Sequence, residues 1–409
     1  MNTWVLGGFQ TDFARNFRRE GLEFADLVRE TVHGTLAASG VGPQDIGVIH
    51  VGNAFGQLFT GQGQLGGMPA TVEEGLWGVP ASRHEAACAS GSIAVLAAMA
   101  DLESGRYDCA LVLGAELEKT VPGDEAARHL GAAAWTGHEG QDARFMWPYM
   151  FSALADEYDA RYGLDDSHLR AIAELNYRNA RANPLAQTRD WKLTEASFTA
   201  DDEANPLVEG RVRRQECSQM TDGASGVVLV SDRWLERRST TPARLARIAG
   251  WGHRTAGLPL ARKTERSKND PYVLPHVREA VQDAFGRAGI GGIADVDGLE
   301  THDCFAMSEY LAIDHVGLTA PGESWRAVEA GDLEIGGRLP VNPSGGLIGG
   351  GHPVGATGVR MLLDASRQVT GTAGDFQVEG ARRFATLNIG GSTTTTVGFV
   401  VEREDTHGR

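Results

Sequence analysis

The sequence predicts an α/β protein made of two related halves, with mixed sheets covered by helices on both faces. Three observations carry this reading. Residues 28–41, VRETVHGTLAASGV, return as residues 277–290, VREAVQDAFGRAGI. Each copy is an amphipathic helix with a glycine stop. The match then runs on: Asp45-Ile46-Gly47-Val48-Ile49 aligns with Asp295-Val296-Asp297-Gly298-Leu299 after one inserted residue, and each copy leads into a short apolar strand. Finally, each half holds a glycine-rich segment followed by a helix-like run of small and apolar residues: His84 to Ser92 in the first and Asn342 to Gly358 in the second. Strands that are apolar on both faces, alternating with helices, belong to sheets covered on both sides.

Taken in order, Met1 to Gly8 reads as a first strand, not a targeting segment. The first repeat helix and its strand follow. After Cys88, Ile93 to Met99 reads as a small-residue helix placed between sheets and ending near Gly105, and Cys109 to Gly114 as a buried strand. Residues 117–204 differ in character. They hold Trp135, Met146, Trp147, Met150 and Phe151 and a polar helix from Ser167 to Ala182, which Asn183-Pro184 stops. This stretch reads as an inserted loop domain covering a site. Gln219 to Val230 returns to strand composition, and the polar residues 233–244 suit a linker. The second half repeats the scheme, with strands at Phe384–Leu387 and Thr394–Val400. The expected units are therefore 1–116 plus 205–232, the insertion 117–204, and 240–402.

Composition narrows the function. With 409 residues, two or three domains are expected. The 42% hydrophobic and 22% charged content is that of a soluble globular protein. A net charge of −16 argues against nucleic acid as a main partner, and no apolar run is long enough to span a bilayer. Arg211, Arg213 and Arg214 form a basic cluster that reads first as solvated surface. The four cysteines, at 88, 109, 217 and 304, show no paired spacing. They fit reduced thiols of a cytoplasmic enzyme better than disulfides or a zinc site. No metal is expected.

Cys88 and His352 give the chemistry. A thiol at a helix N-terminus is biased toward thiolate by the backbone N–H groups and the dipole. A histidine delivered from a matching position in the other half would complete its activation. The pair points to acyl transfer. Cys109, in a buried strand, and Cys217 are assigned to structure, Asp303 and Glu309 to fixing a loop, and His84 to no direct role.

These residues together resemble the thiolase superfamily over nearly the whole chain. The Cys88 segment resembles its nucleophile loop, Asn342 to Gly358 its GHP loop, and Thr221-Asp222-Gly223-Ala224 the strand that closes its first domain. His302-Asp303-Cys304-Phe305 and Asn388-Ile389-Gly390-Gly391 are similar to the sterol-carrier-protein-2 type, which lacks the usual Cys-x-Gly in the last loop. The resemblance implies a duplicated five-layer α-β-α-β-α architecture. It implies cleavage or formation of 3-ketoacyl-CoA, as in acetyl-CoA acetyltransferases and 3-ketoacyl-CoA thiolases, through a Cys88 acyl-enzyme. His352 would accept the thiol proton and help hold a thioester oxygen. Cys304 would act as acid/base, and His302 would hydrogen-bond the enolate oxygen. The N–H groups of Cys88 and Gly390 would form an oxyanion hole. No permanently bound cofactor is implied, coenzyme A and acyl-CoA being substrates. A homodimer or homotetramer is implied, with a small OB-fold-type partner protein as a further option.

Two other readings stand beside this one. Some relatives of the type are retro-aldol lyases that cleave side-chain CoA esters with a partner protein and without an acyl-enzyme. A non-catalytic acyl-CoA or lipid-binding protein would account for the missing Cys-x-Gly cysteine. Trp135, Trp147, Met150 and Phe151 hint at a sizeable apolar acyl group, and packing explains them equally well.

Overall fold

A computed structural model of the chain describes residues 2–238 and 242–405. Eleven strands form: β1 (Thr3–Gln10), β2 (Val48–Gly52), β3 (Ala81–His84), β4 (Cys109–Glu116), β5 (Leu207–Glu209), β6 (Val212–Arg213), β7 (Gly223–Ser231), β8 (Arg244–Thr255), β9 (Gly298–Thr301), β10 (Arg383–Gly390) and β11 (Thr395–Asp405). Nine of them make one mixed sheet in the order β3-β2-β4-β7-β1-β8-β11-β10-β9, and β5 and β6 pair separately.

The sheet order is nearly a palindrome. In the first half β2 pairs in parallel with β3 and β4, and β4–β7 and β7–β1 are antiparallel. In the second, β9–β10 is parallel and β10–β11 and β11–β8 are antiparallel, with a parallel bridge from Leu299 to Val341 in the place of β3. The repeat seen in sequence is thus a repeat of structure. Its helices are Phe24–Ser39 and Pro275–Ala288, both closed by a left-handed glycine, Gly40 (φ 64°) and Gly289 (φ 70°). The halves were expected as separate mixed sheets. They meet instead in one, because β1 and β8 are the free edges of the two halves and lie antiparallel over Thr3–Val5 and Ala246–Ile248.

Two small-residue helices lie at the centre, Ser90–Glu103 and Thr357–Thr370. Their Ala94, Val95, Ala98, Val359, Leu362 and Val369 share one core with strand residues of both halves. The Phe24–Ser39 helix covers the outer face of the first half-sheet through Leu27, Val28 and Val32. Val277, Val281 and Phe285 of Pro275–Ala288 do the same for the second. Helix, sheet, helix pair, sheet and helix make five layers.

Glycine sets how closely the central helices approach. A Cβ on Gly358 would stand 2.4 Å from the backbone N of Ser92, and one on Gly91 2.8 Å from the carbonyl O of Gly355. This crossing places both helix N-termini at one end of the sheet. Superposing Gly91 on Gly358 sets Cys88 against Gly355, so His352 does not occupy the matching position but one turn further back. The added 3-10 turn Val354–Ala356 makes the difference.

Between β4 and β7 run the helices Gly123–Gly131, Met146–Tyr162 and Asp166–Ala180 together with the β5–β6 pair. Asp165 caps the third of these by accepting from the Ser167 N–H. Of the expected linker, residues 239–241 lie outside the described residues, and Asp232–Glu236 forms a short helix capped by Ser231. Among the described residues no helix is long and apolar enough to cross a membrane.

Candidate active site

Cys88 sits on a turn two residues before the helix Ser90–Glu103. Ala87 adopts φ 50°, a left-handed conformation unusual for a residue with a Cβ. Neighbours hold it there: the Glu85 carboxylate accepts from the Ala87 N–H (2.6 Å), and Ser90 Oγ accepts from the Ala86 N–H (2.9 Å) and donates to Ala87 O (2.6 Å). The turn lifts Cys88 clear of the helix and leaves it half-buried in a pocket wall.

His352 arrives on a longer loop. Residues 342–356 contain left-handed Asn342, Gly345, Gly346 and Gly351, and buried carboxyls hold their N–H groups. Asp303 accepts from Leu347 and Ile348, Glu300 from Ser344, Glu118 from Val354 and Glu116 from Gly355. The last two come from the end of β4 and the residues after it, so the first half grips the loop of the second. Buried Arg360, in the helix that follows, pairs with Glu300 (2.9 Å) and Asp364 (3.0 Å).

His302 and Cys304 lie on the loop after β9. Asp303, between them, and Glu309 both accept from the amide of Asn176, and Glu309 also accepts from Asn342, which fixes this loop to the previous one. Phe305 stacks on Phe151 of the Met146–Tyr162 helix at 4.5 Å. The fourth loop contributes Asn388 from β10. Its amide donates to His302 Nδ1 (3.0 Å) and to Cys88 O (3.2 Å), and its Oδ1 accepts from Ser92 Oγ (2.7 Å). One buried side chain thereby ties three loops together.

These bonds settle the tautomers. Because Asn388 Nδ2 can only donate, His302 Nδ1 accepts and its proton lies on Nε2. Thr357 Oγ1 donates to Pro353 O (3.1 Å), so toward His352 Nδ1 (2.7 Å) it accepts, and His352 keeps a free lone pair on Nε2. The Cys88 sulfur and a ring nitrogen of each histidine all lie within 4.8 Å of one another, with the two rings 5.1 Å apart and nearly perpendicular. That spacing would suit a metal ion, but a protonated Nε2 on His302 gives it no lone pair to share.

Charge is expensive here. Burial pushes the Cys88 thiol up to about 12, with Glu118 and Glu116 adding to the shift and a hydrogen bond from the Gly391 N–H opposing it. This reverses the bias toward thiolate expected from the helix N-terminus, because loss of water outweighs a partial dipole charge. His352 is held down to about 3, by burial first and then by Arg360. His302 is lowered well below its usual value by burial, then by His352 and Arg360. Cys304 is raised well above the usual thiol, by burial, then by Cys88 and Asp303. Without substrate the site holds two thiols and two neutral imidazoles.

Cys88, Cys304 and His352 line a pocket of roughly 340 Å³ with Phe145, Trp147, Phe151 and Phe305. Cys217, read from sequence as structural, also faces it, and its thiol donates to Arg213 O (3.2 Å). Trp147 and Phe151 reach the pocket, whereas Met150 is core and Trp135 is exposed and stacked on His138. The arginine cluster divides. Arg211 pairs with Asp156, Asp159 and Asp166, Arg213 pairs with Asp202, and exposed Arg214 stands at the pocket wall. His84 turns away from Cys88 to bond His50 (2.9 Å). Gly390, expected as an oxyanion donor, is still paired in the ladder with Thr395. The amide that reaches the Cys88 sulfur is that of Gly391, where the chain leaves β10 with φ 63°. Sequence reasoning did not single out Thr357, Ser92 or Glu118. Ser92 and Thr357 lie inside the two glycine-rich segments without a role being assigned to them, Glu118 lies in none, and only the fold shows what their side chains bond.

Known proteins agree with this architecture. Residues 4–233 match the thiolase N-terminal domain and residues 261–403 a thiolase C-terminal domain-like family. The chain belongs to the thiolase family. It is 31% identical over 400 residues to the acetyl-CoA acetyltransferase of Methanothermobacter thermautotrophicus, covering 98% of this chain and 99% of that one. It is 27% identical to human sterol carrier protein 2, over 96% of this chain and 71% of the other. A solved structure titled Ltp2-ChsH2(DUF35) aldolase shares the fold with a TM-score of 0.76 at 20% identity, covering 98% of this chain and 97% of that chain.

Proposed function

We propose that the protein is a CoA-dependent acyltransferase that cleaves or forms a 3-ketoacyl-CoA through an acyl-enzyme on Cys88. One observation carries this reading: Cys88 and His352, from opposite halves, line one pocket with Cys304, and His302, outside that lining, brings a ring nitrogen within 4.8 Å of the Cys88 sulfur and of a His352 nitrogen.

In the cleaving direction, His352 Nε2 takes the Cys88 proton as the sulfur attacks the 3-keto carbon. The oxyanion that forms is received by N–H groups of Cys88 and of the Gly390–Gly391 turn, donors of a kind that contribute roughly 10²–10³ in rate. The C2–C3 bond breaks, and its electron pair passes to the enolate of the departing acetyl-CoA, whose oxygen the His302 Nε2–H holds. Cys304, a neutral thiol in this dry setting, gives its proton to C2. The entering CoA thiol then returns a proton to Cys304, and its sulfur attacks the acyl-enzyme. The Cys88 thiolate leaves and recovers its proton from His352. Two neutral thiols and two neutral imidazoles are restored, so the cycle balances.

The apolar lining of the pocket favours an apolar acyl group. No permanently bound cofactor enters the scheme, and a cytoplasmic homodimer or homotetramer is the form proposed. A retro-aldol lyase assisted by a partner protein is the competing reading, since the structural neighbour named above is an aldolase. A lyase of that kind requires no Cys88 acyl-enzyme.

Cys88→Ala should abolish thiolysis of a 3-ketoacyl-CoA with the melting curve unchanged. Intact mass after incubation with acyl-CoA should show one acyl adduct on the wild type and none on the variant. Retained thiolysis in the variant would overturn the reading, and cleavage without any adduct would favour the lyase.

A further inference from the structure

Lys263 is a buried cation with no carboxylate against it. It belongs to the helix Leu260–Arg266, and its Nζ lies 3.0 Å from Leu258 O, 2.5 Å from Ser392 O, 2.9 Å from Ser392 Oγ and 2.9 Å from Thr394 Oγ1. Among the described residues it forms no ion pair. Glu139, which caps the same helix at the Leu260 N–H, exerts only a distant pull. Burying an ammonium among neutral oxygens is unfavourable unless the geometry is closed around it, and four oxygens close it here. The cost shows in the amine, which burial lowers to about 7 against the opposing Glu139.

Three of the four oxygens belong to the hairpin that joins β10 to β11, residues 391–394, and the fourth to Leu258. Both Gly391 (φ 63°) and Thr393 (φ 62°) are left-handed there. Three successive carbonyls of this hairpin are anchored by residues outside it. Ser392 O accepts from Lys263, Thr393 O faces His276 Nε2 at 2.9 Å, and Thr394 O accepts from the Ala256 N–H at 2.8 Å. The anchored Ser392 directly follows Gly391, which lines the pocket beside Cys88 and gives its N–H to the sulfur.

We propose that Lys263 is a positioning residue for the reacting sulfur: its ammonium fills the oxygen cage behind the hairpin and so aims the Gly391 N–H at Cys88. The inference rests on Cys88 being the nucleophile, and it assigns to a residue outside the pocket the role of organising its anion-binding wall. Nothing in the sequence marks it, since Lys263 stands in an ordinary Leu-Ala-Arg-Lys-Thr-Glu-Arg helix.

The test uses the whole protein and Lys263→Met, which keeps length and burial but removes the charge. With a 3-ketoacyl-CoA, kcat should fall about 10²-fold while KM changes little, the loss typical of one misplaced oxyanion donor. The rate of Cys88 alkylation by iodoacetamide, followed by peptide mass against pH, should shift to higher pH by about one unit. In Lys263→Ala, which empties the cage, added ammonium or methylammonium ions should recover part of the lost kcat. A folded Lys263→Met variant with wild-type kcat and an unchanged alkylation profile would overturn the proposal. If that variant does not fold, Thr394→Val removes one of the four oxygens and should lower kcat several-fold at constant KM, and an unchanged kcat there overturns it equally. Alkylation needs no substrate, so a wild-type protein that fails to cleave 3-ketoacyl-CoA would refute the acyl-enzyme reading while the alkylation shift still decides the role of Lys263.

Discussion

The turns that carry Cys88 and His352 precede two equivalent central helices, yet they are held in opposite ways. The Cys88 turn is short, and its shape is set locally. The N–H groups of Ala86 and Ala87 are held by Ser90 and Glu85, at most four residues away, while Asn388 reaches Cys88 O from the other half, and the turn stores strain at Ala87. The His352 loop is long and glycine-rich and is held from a distance, by Glu116 and Glu118 of the first half and by Asp303 and Glu300 from β9 and the loop after it. In the proposed mechanism, the nucleophile, which must change its bonding at every turnover, sits on a local, adjustable turn. The base proposed to receive its proton is clamped by the rest of the molecule. Duplication supplied two equivalent helices, and divergence gave one a stiff loop and the other a local turn.

The crossing that both loops depend on should be the most sensitive point. Gly91 and Gly358 occupy the same position in their helices, and both meet backbone. Gly358→Ala brings a methyl to 2.4 Å from Ser92 N and 2.7 Å from Asn388 Oδ1. The central helices must separate, at a cost of about 3 kcal/mol or more, and turnover should be lost together with stability. Gly91→Ala, whose nearest contact is 2.8 Å, should cost less. Denaturant melts of the two variants rank them. Equal and small losses would show that the helix pair is free to slide, and that the stiff half of the comparison is not stiff.

Glu118 and Glu85 probe the two modes of support directly. Glu118 is buried and accepts from Val354 and Thr221, and burial, then Glu116, raises it well above the ordinary carboxyl. Glu118→Gln keeps the size but turns an amide NH₂ toward one of those N–H groups. Leaving that donor unpaired in the interior should cost about 1–3 kcal/mol and lower kcat through the displaced His352. Glu85 is exposed, and water can replace its bond to the Ala87 N–H, so Glu85→Gln should stay within about 0.5 kcal/mol of the wild type. Urea melts measure both. A larger loss at Glu85 would reverse the assignment of which loop is held locally.

How much of this could be read in advance follows the same division. The duplication, the outer helices, the central small-residue helices and most strands are written in periodicity and in glycine placement, because each element must present an apolar face at its own repeat. Cys88, His352, His302 and Cys304 were legible from their motifs. What stayed hidden depends on contacts between distant segments. The joining of β1 to β8 is an edge pairing that leaves no pattern in either strand. The direction of the Cys88 shift depends on how much water the folded pocket excludes, which a helix N-terminus alone cannot report. Asn388 was read as a substitution typical of a subgroup, and only its three bonds reveal that it sets the His302 tautomer. Which amide of the Gly390–Gly391 turn reaches the Cys88 sulfur turns on where β10 stops, and boundaries are the least legible feature of any strand.

Ala87→Gly offers the smallest effect and the finest test of the local turn. A residue with a Cβ at φ 50° carries roughly 1 kcal/mol of strain, which glycine would release. Glycine also adds freedom to the unfolded chain, worth about 0.5–1 kcal/mol against folding. The two nearly cancel, so the melting temperature should move by less than about 2 °C in a chain of this size. If the strain serves only to present the sulfur, kcat should fall no more than several-fold, because the Glu85 and Ser90 bonds still define the turn. A loss of about 2 kcal/mol or more would mean that the Ala87 methyl is held by the pocket wall and not by its neighbours in sequence. The Cys88 turn would then be as firmly tied to the whole molecule as the His352 loop.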